Sequence, residues 1–372
     1  MGTRLHSSTL SLGRLGVAFA ALLTLALPAS AAFLHRCDLA VAGIPAGTTL
    51  TNFPVLVRLA NVTGFDFGQI RTADASDLSF RDAGDNALAW EVDTFNASAG
   101  KLLVWVKLPS ATTNTTFKAY WGDATPSAHT ASDVWSGYVV VWHLNNLNDS
   151  TANGYHLTKY NAATTNNADG KLGACYTIAP VGATRGGTHG LVALGTTNAT
   201  LGTAFTVSGW VRHKGAVSWD HIFYRKNASQ DFNGFCSEIN NTTLTTMHVY
   251  GTNKTSTAVT IPTTADTWVH LALAFNGKPL TVYANGVGSS YNLSAAPSDN
   301  GLPLSFGNNW SPTTRAPSDY FWIGEMDELR VYPATASAKW MAAEYATLAN
   351  SGFLSYGKKV DTAVAATKAS VH

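Results

Sequence analysis

Three acids and a base crowd one short stretch of this chain, Glu325-Met326-Asp327-Glu328-Leu329-Arg330. Retaining hydrolysis of a glycosidic bond needs two carboxyl groups about 5 to 5.5 Å apart, flanking the bond to be cut. On a strand, such a pair must come from one face, at even spacing, or from a bulge that re-aims a side chain. Strict alternation puts Glu325 and Asp327 together and makes Leu329 their next neighbour. It sends Glu328 to the other face beside Arg330, where the two form a strand-surface ion pair. The expectation is therefore that no paired-acid cleft forms and that no residue is catalytic, with Glu325 the acid of the competing, polysaccharide-cleaving reading.

Other reactive spacings are missing. Neither Cys-x-x-Cys nor His-Glu-x-x-His occurs, so no local zinc motif exists. The hydrolase elbow Gly-x-Ser-x-Gly is absent too. Arg185-Gly186-Gly187-Thr188-His189-Gly190 lacks the Lys-Ser/Thr of a phosphate loop and reads as a tight turn. His143, His248 and His270 sit inside strand patterns, where a histidine usually serves the structure. Aromatic residues among polar ones suggest a different chemistry, because sugars stack on exposed rings while polar neighbours fix their hydroxyls. Trp219-Asp220 and the segment from Trp310 through Arg315 to Tyr320 lie outside strand periodicity. Trp219, Asp220, Trp310, Arg315 and Tyr320 are thus the candidate ligand-binding residues. The competing reading is burial, since a chain with 11 tryptophans hides most of them.

The elements that must position these residues are strands. The chain has 372 residues, enough for about two domains; only 13% are charged and the net charge is +1, which gives no field to attract nucleic acid. Arg4 and Arg14 precede an apolar run from Leu15 to Leu27 and the small residues after Pro28, the pattern of a secretory signal over 1–31. The run is too short to span a bilayer comfortably, so no membrane span is expected after cleavage, and the protein is expected to be secreted, periplasmic or on the cell surface. Residues 32–136 read as a small β-sandwich. In its segment Lys101 to Pro109, Leu102, Val104, Val106 and Leu108 point one way. Residues 137–357 read as a larger sandwich, with Asn276-Gly277 and Asn285-Gly286 as hairpin turns that require positive φ. Trp340, Met341, Tyr345 and Leu348 recur at helical spacing behind Ser337, a plausible cap. The tail 358–372 carries no pattern and is expected to be disordered. Of three cysteines, Cys175 and Cys236 share the larger module and can form a disulfide there; otherwise all three are small buried apolar side chains.

Phe53-Pro54-Val55-Leu56-Val57, Ser76-Asp77-Leu78-Ser79-Phe80, Leu103 to Pro109 and Tyr120-Trp121-Gly122-Asp123 resemble, in order, a secreted bacterial family of unknown function. Members of that family accompany laminin-G-like modules, and some occur beside proton-channel components of envelope energy-coupling systems. Val139 to Leu144, Asp149 to Gly154, Phe205 to Val211, Trp268 to Gly277, Leu280 to Gly286 and above all Ile323 to Tyr332 resemble the laminin-G-like branch of the concanavalin A-type jelly rolls. The resemblance implies an all-β fold, an N-terminal small sandwich followed by a concanavalin A-like jelly roll. It implies a structural calcium ion, for which Asp149 and Asp327 are the matching carboxylates, although Asp149 could equally cap a turn. The further acid of the laminarinase-type pattern is missing. Together these readings point to a non-catalytic exported protein that binds carbohydrate or an envelope or extracellular protein. A jelly-roll glycoside hydrolase and a passive envelope or stalk component of an energy-coupling system are the alternatives.

Overall fold

The computed structural model describes Gly2 and residues 33–123, 129–184, 187–215, 219–227, 232–239, 246–261 and 265–362, with the backbone alone of Ser318, Asp319 and Ser351. The expected signal segment, apart from Gly2, and the last ten residues lie outside the described residues. Alternation along individual strands builds both modules. In Lys101–Ala111, Leu102, Val104, Val106 and Leu108 enter one core while Leu103 and Trp105 leave through the opposite face into another. Leu50–Arg58 repeats the pattern, with Phe53, Val55 and Val57 on one side and Leu56 on the other. A sheet with two apolar faces must be covered twice.

One cover is the rest of the first module. Leu50–Arg58, Lys101–Ala111 and Trp90–Asn96 form a three-stranded sheet, which faces a second sheet ordered Leu354–Tyr356, His35–Val41, Thr116–Trp121, Leu78–Asp82. The core between them is built on Phe53, Phe80, Trp90, Phe117 and Trp121. The chain thus returns from the larger module to complete the smaller one. Val360–Asp361 also pairs with His35–Val41, Lys359 donates its N–H to the Thr63 carbonyl, and Thr362 donates to Leu34. Residues 358–362, expected as the start of a disordered tail, are instead held by these backbone hydrogen bonds along an otherwise unpaired strand edge.

The other cover is the second module, two antiparallel sheets packed face to face. The first runs Val287–Asn292, Pro279–Ala284, Trp268–Asn276, Ala204–Gly215, Ile323–Tyr332, Cys175–Ala179, Thr165–Asn167, and Val140–Trp142 also pairs with Ile323–Tyr332. The second runs Thr257–Thr260, Thr246–Tyr250, Gly234–Ile239, Asp220–Lys226, Leu304–Phe306, Gly190–Ala193, Thr158–Tyr160. Trp142, Phe205, Phe235, Phe275, Phe306 and Trp322 fill the space between. Asn285 and Gly286 both take positive φ, 50° and 79°, as the expected hairpin requires. The outer face of the eight-stranded sheet lies against the first module, where Trp210 joins Leu56, Trp105 and Trp135. Among the described residues no helix is long and apolar enough to cross a membrane.

Alternation also fixes the cysteines. Tyr176 and Ile178 enter the core of the second module, so Cys175 leaves through the far side of the eight-stranded sheet. Phe235 and Ile239 enter the same core from the other sheet, so Cys236 leaves in the opposite direction, beside Tyr224 and Trp310. The two thiols point away from each other across the whole sandwich, and all three cysteines are free and buried. The expected disulfide is corrected accordingly. Denatured in the absence of reductant, the chain will titrate three thiols with a thiol-reactive dye; a count of one would restore the bridge.

The helix Ala338–Ala349 starts where expected, with the Ser337 hydroxyl accepting the Trp340 N–H at 3.2 Å. Trp340 packs edge-on to Phe53 of the first module at 5.0 Å, and Met341 packs on Ala272 and Ala274 of the second. Glu344 reaches into the eight-stranded sheet, accepting from Ser208 Oγ at 2.8 Å and lying 3.3 Å from His270. Burial opposes its charge, but His270, the Arg330 guanidinium and Ser208 hold its carboxyl down at about 2. A carboxyl depressed on folding adds stability above its unfolded value of 4.5, and that contribution fades as pH falls through about 2. Glu344→Gln should therefore cost about 3 kcal/mol at pH 7 in urea unfolding, with the gap to the parent closing as the pH is lowered toward 2. Equal stability of parent and variant at pH 7 would show that the carboxylate does not hold the helix.

Candidate functional site

The pairing of the acid-rich strand Ile323–Tyr332 is broken by two bulges that sequence periodicity does not reveal, the first in this strand and the second in its partner. Its register against Ala204–Gly215 slips between Ser208 and Trp210 and again between His213 and Gly215. Gly324, at φ 141°, serves the second slip, for a Cβ there would lie 2.0 Å from the Arg212 carbonyl. At the first, Glu328 takes φ 51° and adds one residue to the strand. Met326, Leu329 and Val331 consequently all face the core. Glu325, Asp327, Glu328 and Arg330 share the outer face, so the expectation that Glu328 points away from Asp327 is corrected. Glu328 and Arg330 do pair, at 2.6 Å, but both are at most 2% exposed and buried beneath the first module.

There they join a charge network that spans the two modules. Glu328 accepts from His143 Nδ1 at 2.8 Å, Asp93 lies 3.3 Å from the same nitrogen, and Glu91 lies 3.3 Å from Nε2. Burial works against a charged imidazole, yet Glu328, Asp93 and Glu91 hold His143 well above its ordinary value. Burial pushes the Asp327 and Glu328 carboxyls up. The Arg330 guanidinium stacks on Trp105 and Trp135, 4.4 and 5.0 Å from the ring centroids. Every acid here has donors of its own. Asp93 accepts from Trp105 and Asn145; Glu91 accepts from Trp135 and Ser150. Glu325, apart from this group, is clamped by Arg212 and Lys214. The hollow beside Glu91, Asp93 and His143 is lined mostly by polar side chains and loop backbone.

The carboxylates matched to calcium are spent on backbone amides. Asp149 accepts from the N–H groups of Val141, Thr151 and Tyr155 and from the Thr151 hydroxyl. Asp327 accepts from the N–H groups of Lys171, Leu172 and Glu328. Calcium is held by six to eight oxygens converging on one point, whereas these two carboxylates face convergent donors. The residues do not fit that ion, and both act as caps that fold their loops.

On the opposite side of the molecule, the outer face of the seven-stranded sheet carries a second group of side chains. A bulge between His221 and Tyr224 lets both side chains leave that face although they are three residues apart. With Cys236, Glu238 and Tyr250 from the neighbouring strands they floor an open basin of about 340 Å³, walled by Trp219, Phe232, Tyr320, Asn309 and Lys254. Trp219 holds φ 67°, a left-handed conformation that is costly for a bulky residue and that aims its ring at the basin rim. Lys226 and Lys254 stand over the Phe232 ring at 5.9 and 4.4 Å and add positive charge to one wall.

Two of the five expected ligand-binding residues meet here, Trp219 and Tyr320. Asp220 does not: the next position along the strand faces inward, where its carboxylate bonds His213 Nε2 at 2.8 Å, fully buried. Trp310 is 5% exposed and packs edge-on to Tyr160, so burial takes it. With Arg315 it lines a separate shallow hollow beside Leu194 and Leu302. Trp219 and Trp310 therefore line different hollows. His221, Tyr224, Glu238 and Tyr250 escaped notice because they read as ordinary strand residues. The spacing Cys236-x-Glu238, flanked by the core positions Phe235 and Ile239, was the available signal.

Residues 186–342 match the concanavalin A-like lectin/glucanases superfamily, and residues 74–154 match a domain of unknown function, DUF2341. No curated protein matches the chain. Solved structures with a similar course include domain 4 of AbnA, an extracellular arabinanase of family GH43 from Geobacillus stearothermophilus, in complex with arabinotriose. It is 18% identical, with 55% of this chain and 96% of that one covered and a TM-score of 0.41. The binding domain of Paraclostridial Mosquitocidal Protein 1 is 12% identical, with 57% and 52% covered and a TM-score of 0.43. The botulinum neurotoxin serotype D ligand binding domain, in complex with N-acetylneuraminic acid, is 10% identical, with 56% and 50% covered and a TM-score of 0.42. The chain is thus nearly all β, with a stretch that matches the concanavalin A-like superfamily model following one that matches the DUF2341 model.

Proposed function

We propose that this is an exported, non-catalytic binding protein that takes carbohydrate in the aromatic basin on the outer face of its jelly roll. The observation that carries the reading is the convergence of Trp219, Tyr224, Phe232, Tyr250 and Tyr320 around one hollow that also presents Asn309, Glu238 and Lys254. Apolar sugar faces stack on such rings, and the polar groups supply hydroxyl partners. The acids that a glycosidase would need are held elsewhere. Glu91, Asp93, Glu325, Asp327 and Glu328 all serve ion pairs, indole donors or backbone amides, which leaves the expected enzymatic alternative without a free acid pair among these residues.

Binding to a printed array of bacterial and plant glycans, followed by calorimetry on the best glycan, tests the reading. Trp219→Ala should weaken binding at least roughly tenfold, the loss of about 1.4 kcal/mol of stacking. Trp310→Ala should leave the affinity unchanged while lowering stability by about 3 kcal/mol, as for a buried ring. An array without a bound glycan, or an affinity indifferent to Trp219, would refute the proposal.

A further inference from the structure

On the floor of the basin three side chains of different chemistry come together. A ring nitrogen of His221, Cys236 Sγ and a carboxylate oxygen of Glu238 all lie within 4.8 Å of one another. His221 and Glu238 face each other directly across the strand pair, and Cys236 stands two residues before Glu238 on the same face. We infer that His221, Cys236 and Glu238 bind a divalent transition-metal ion of the zinc type, with its remaining position open to the basin.

The hydrogen bonds around the three residues support this independently of their proximity. His221 Nδ1 lies 2.9 Å from the Trp219 carbonyl oxygen. A carbonyl only accepts, so Nδ1 donates to it, and Nε2 is the ring nitrogen left to face Glu238 Oε2, 3.1 Å away. A ring nitrogen and a carboxylate oxygen so close need a cation to bridge them, a proton or a metal ion, and the Cys236 thiol stands beside both. The other oxygen of Glu238 accepts from the Tyr250 hydroxyl at 2.7 Å, which orients the carboxylate and leaves Oε2 directed at the histidine. A ring N–H given to a carbonyl and a carboxylate steadied by an outer donor are the supports that metal ligands usually have. Tyr224, which crosses from Cys236 on the adjacent strand and lines the same basin, is 2% exposed, and its hydroxyl has no hydrogen-bond partner among the described residues. A polar group that deeply buried calls for one.

The donor set selects the ion. Thiolate and imidazole favour zinc and its neighbours over calcium or magnesium, which prefer oxygen alone. Three protein ligands and one open position form the arrangement that leaves room for water or an incoming ligand atom. Binding would displace the Cys236 proton to solvent, so that thiolate and carboxylate together neutralise the ion. Lys226 does not supply the missing cation, because its ammonium is spent on the carbonyls of Gly251 and Asn253 at 2.6 and 2.5 Å. The inference stands on this ligand set and does not depend on carbohydrate binding.

The test uses the full exported chain, freed of metal by chelator dialysis and titrated with zinc chloride and with cobalt(II) chloride, with no glycan present. One equivalent should bind, about one proton should be released per ion, and the cobalt form should show thiolate-to-metal charge-transfer absorption. Cys236→Ser should abolish that absorption and weaken zinc binding by roughly 100-fold or more, while Tyr250→Phe should cost roughly tenfold, as outer-shell losses do. Cobalt bound to the unaltered protein without thiolate absorption would overturn the inference whether or not the serine variant folds. So would zinc affinity unchanged in His221→Ala or Glu238→Gln, and so would the absence of binding, which would leave His221 and Glu238 as an imidazolium-carboxylate pair. Because metal is read directly, either result is independent of the glycan experiment.

Discussion

One buried carboxylate ties the molecule together. Glu328 sits at a bulge with φ 51°, and its two oxygens reach His143 and Arg330 at 2.8 and 2.6 Å. Arg330 is stacked on Trp105 of the first module, and His143 is flanked by Glu91 and Asp93 of the same module. Ions taken so far out of water are tolerated only when each is paired and hydrogen-bonded. The network therefore fixes how the two modules meet, because any sliding between them would strand charges without partners. The C-terminal strands reinforce this by returning to the first module after the helix has packed against both.

That interface decides where ligand chemistry can occur. With one sheet of the jelly roll plastered against the first module, the acid-rich strand cannot present an open groove. Over the outer face of the seven-stranded sheet lies the hairpin Asn308–Ser311 and Ala316–Phe321, which brings Asn309 and Tyr320 to the basin. Trp219 stays half-buried there, whereas Trp310 packs with Tyr224 and Cys236. The same physical fact, which sheet face is covered, accounts for a hidden Glu328 and a half-buried Trp219.

Much of this was legible in the sequence, and the failures share one cause. Leu102, Val104, Val106 and Leu108, the Asn285-Gly286 turn and the Ser337 cap follow from local rules of alternation, positive φ and amide capping, and each stands as read. Residue-by-residue alternation failed at Glu328, where one extra residue returned it to the face of Asp327. The bulge between His221 and Tyr224 likewise hid the basin. Register slips depend on both strands of a pair, so a single strand carries little sign of them, although Gly324 and Gly209 were hints: a Cβ on Gly209 would press the Leu329 side chain at 2.5 Å. Trp310 and the two cysteines show a second limit, since which side of a sheet finds cover is a property of the assembled fold.

The measurement that bears most directly on this account is the unfolding free energy of the full chain carrying Glu328→Gln, taken together with reducing-sugar release from polysaccharides by both proteins. Loss of a buried ion partner should lower stability by about 3 kcal/mol in one cooperative transition, with no sugar released by either protein. A variant as stable as its parent, and stripped of a hydrolytic activity that the parent possesses, would mean that Glu328 works on substrate and that the modules are held by something else.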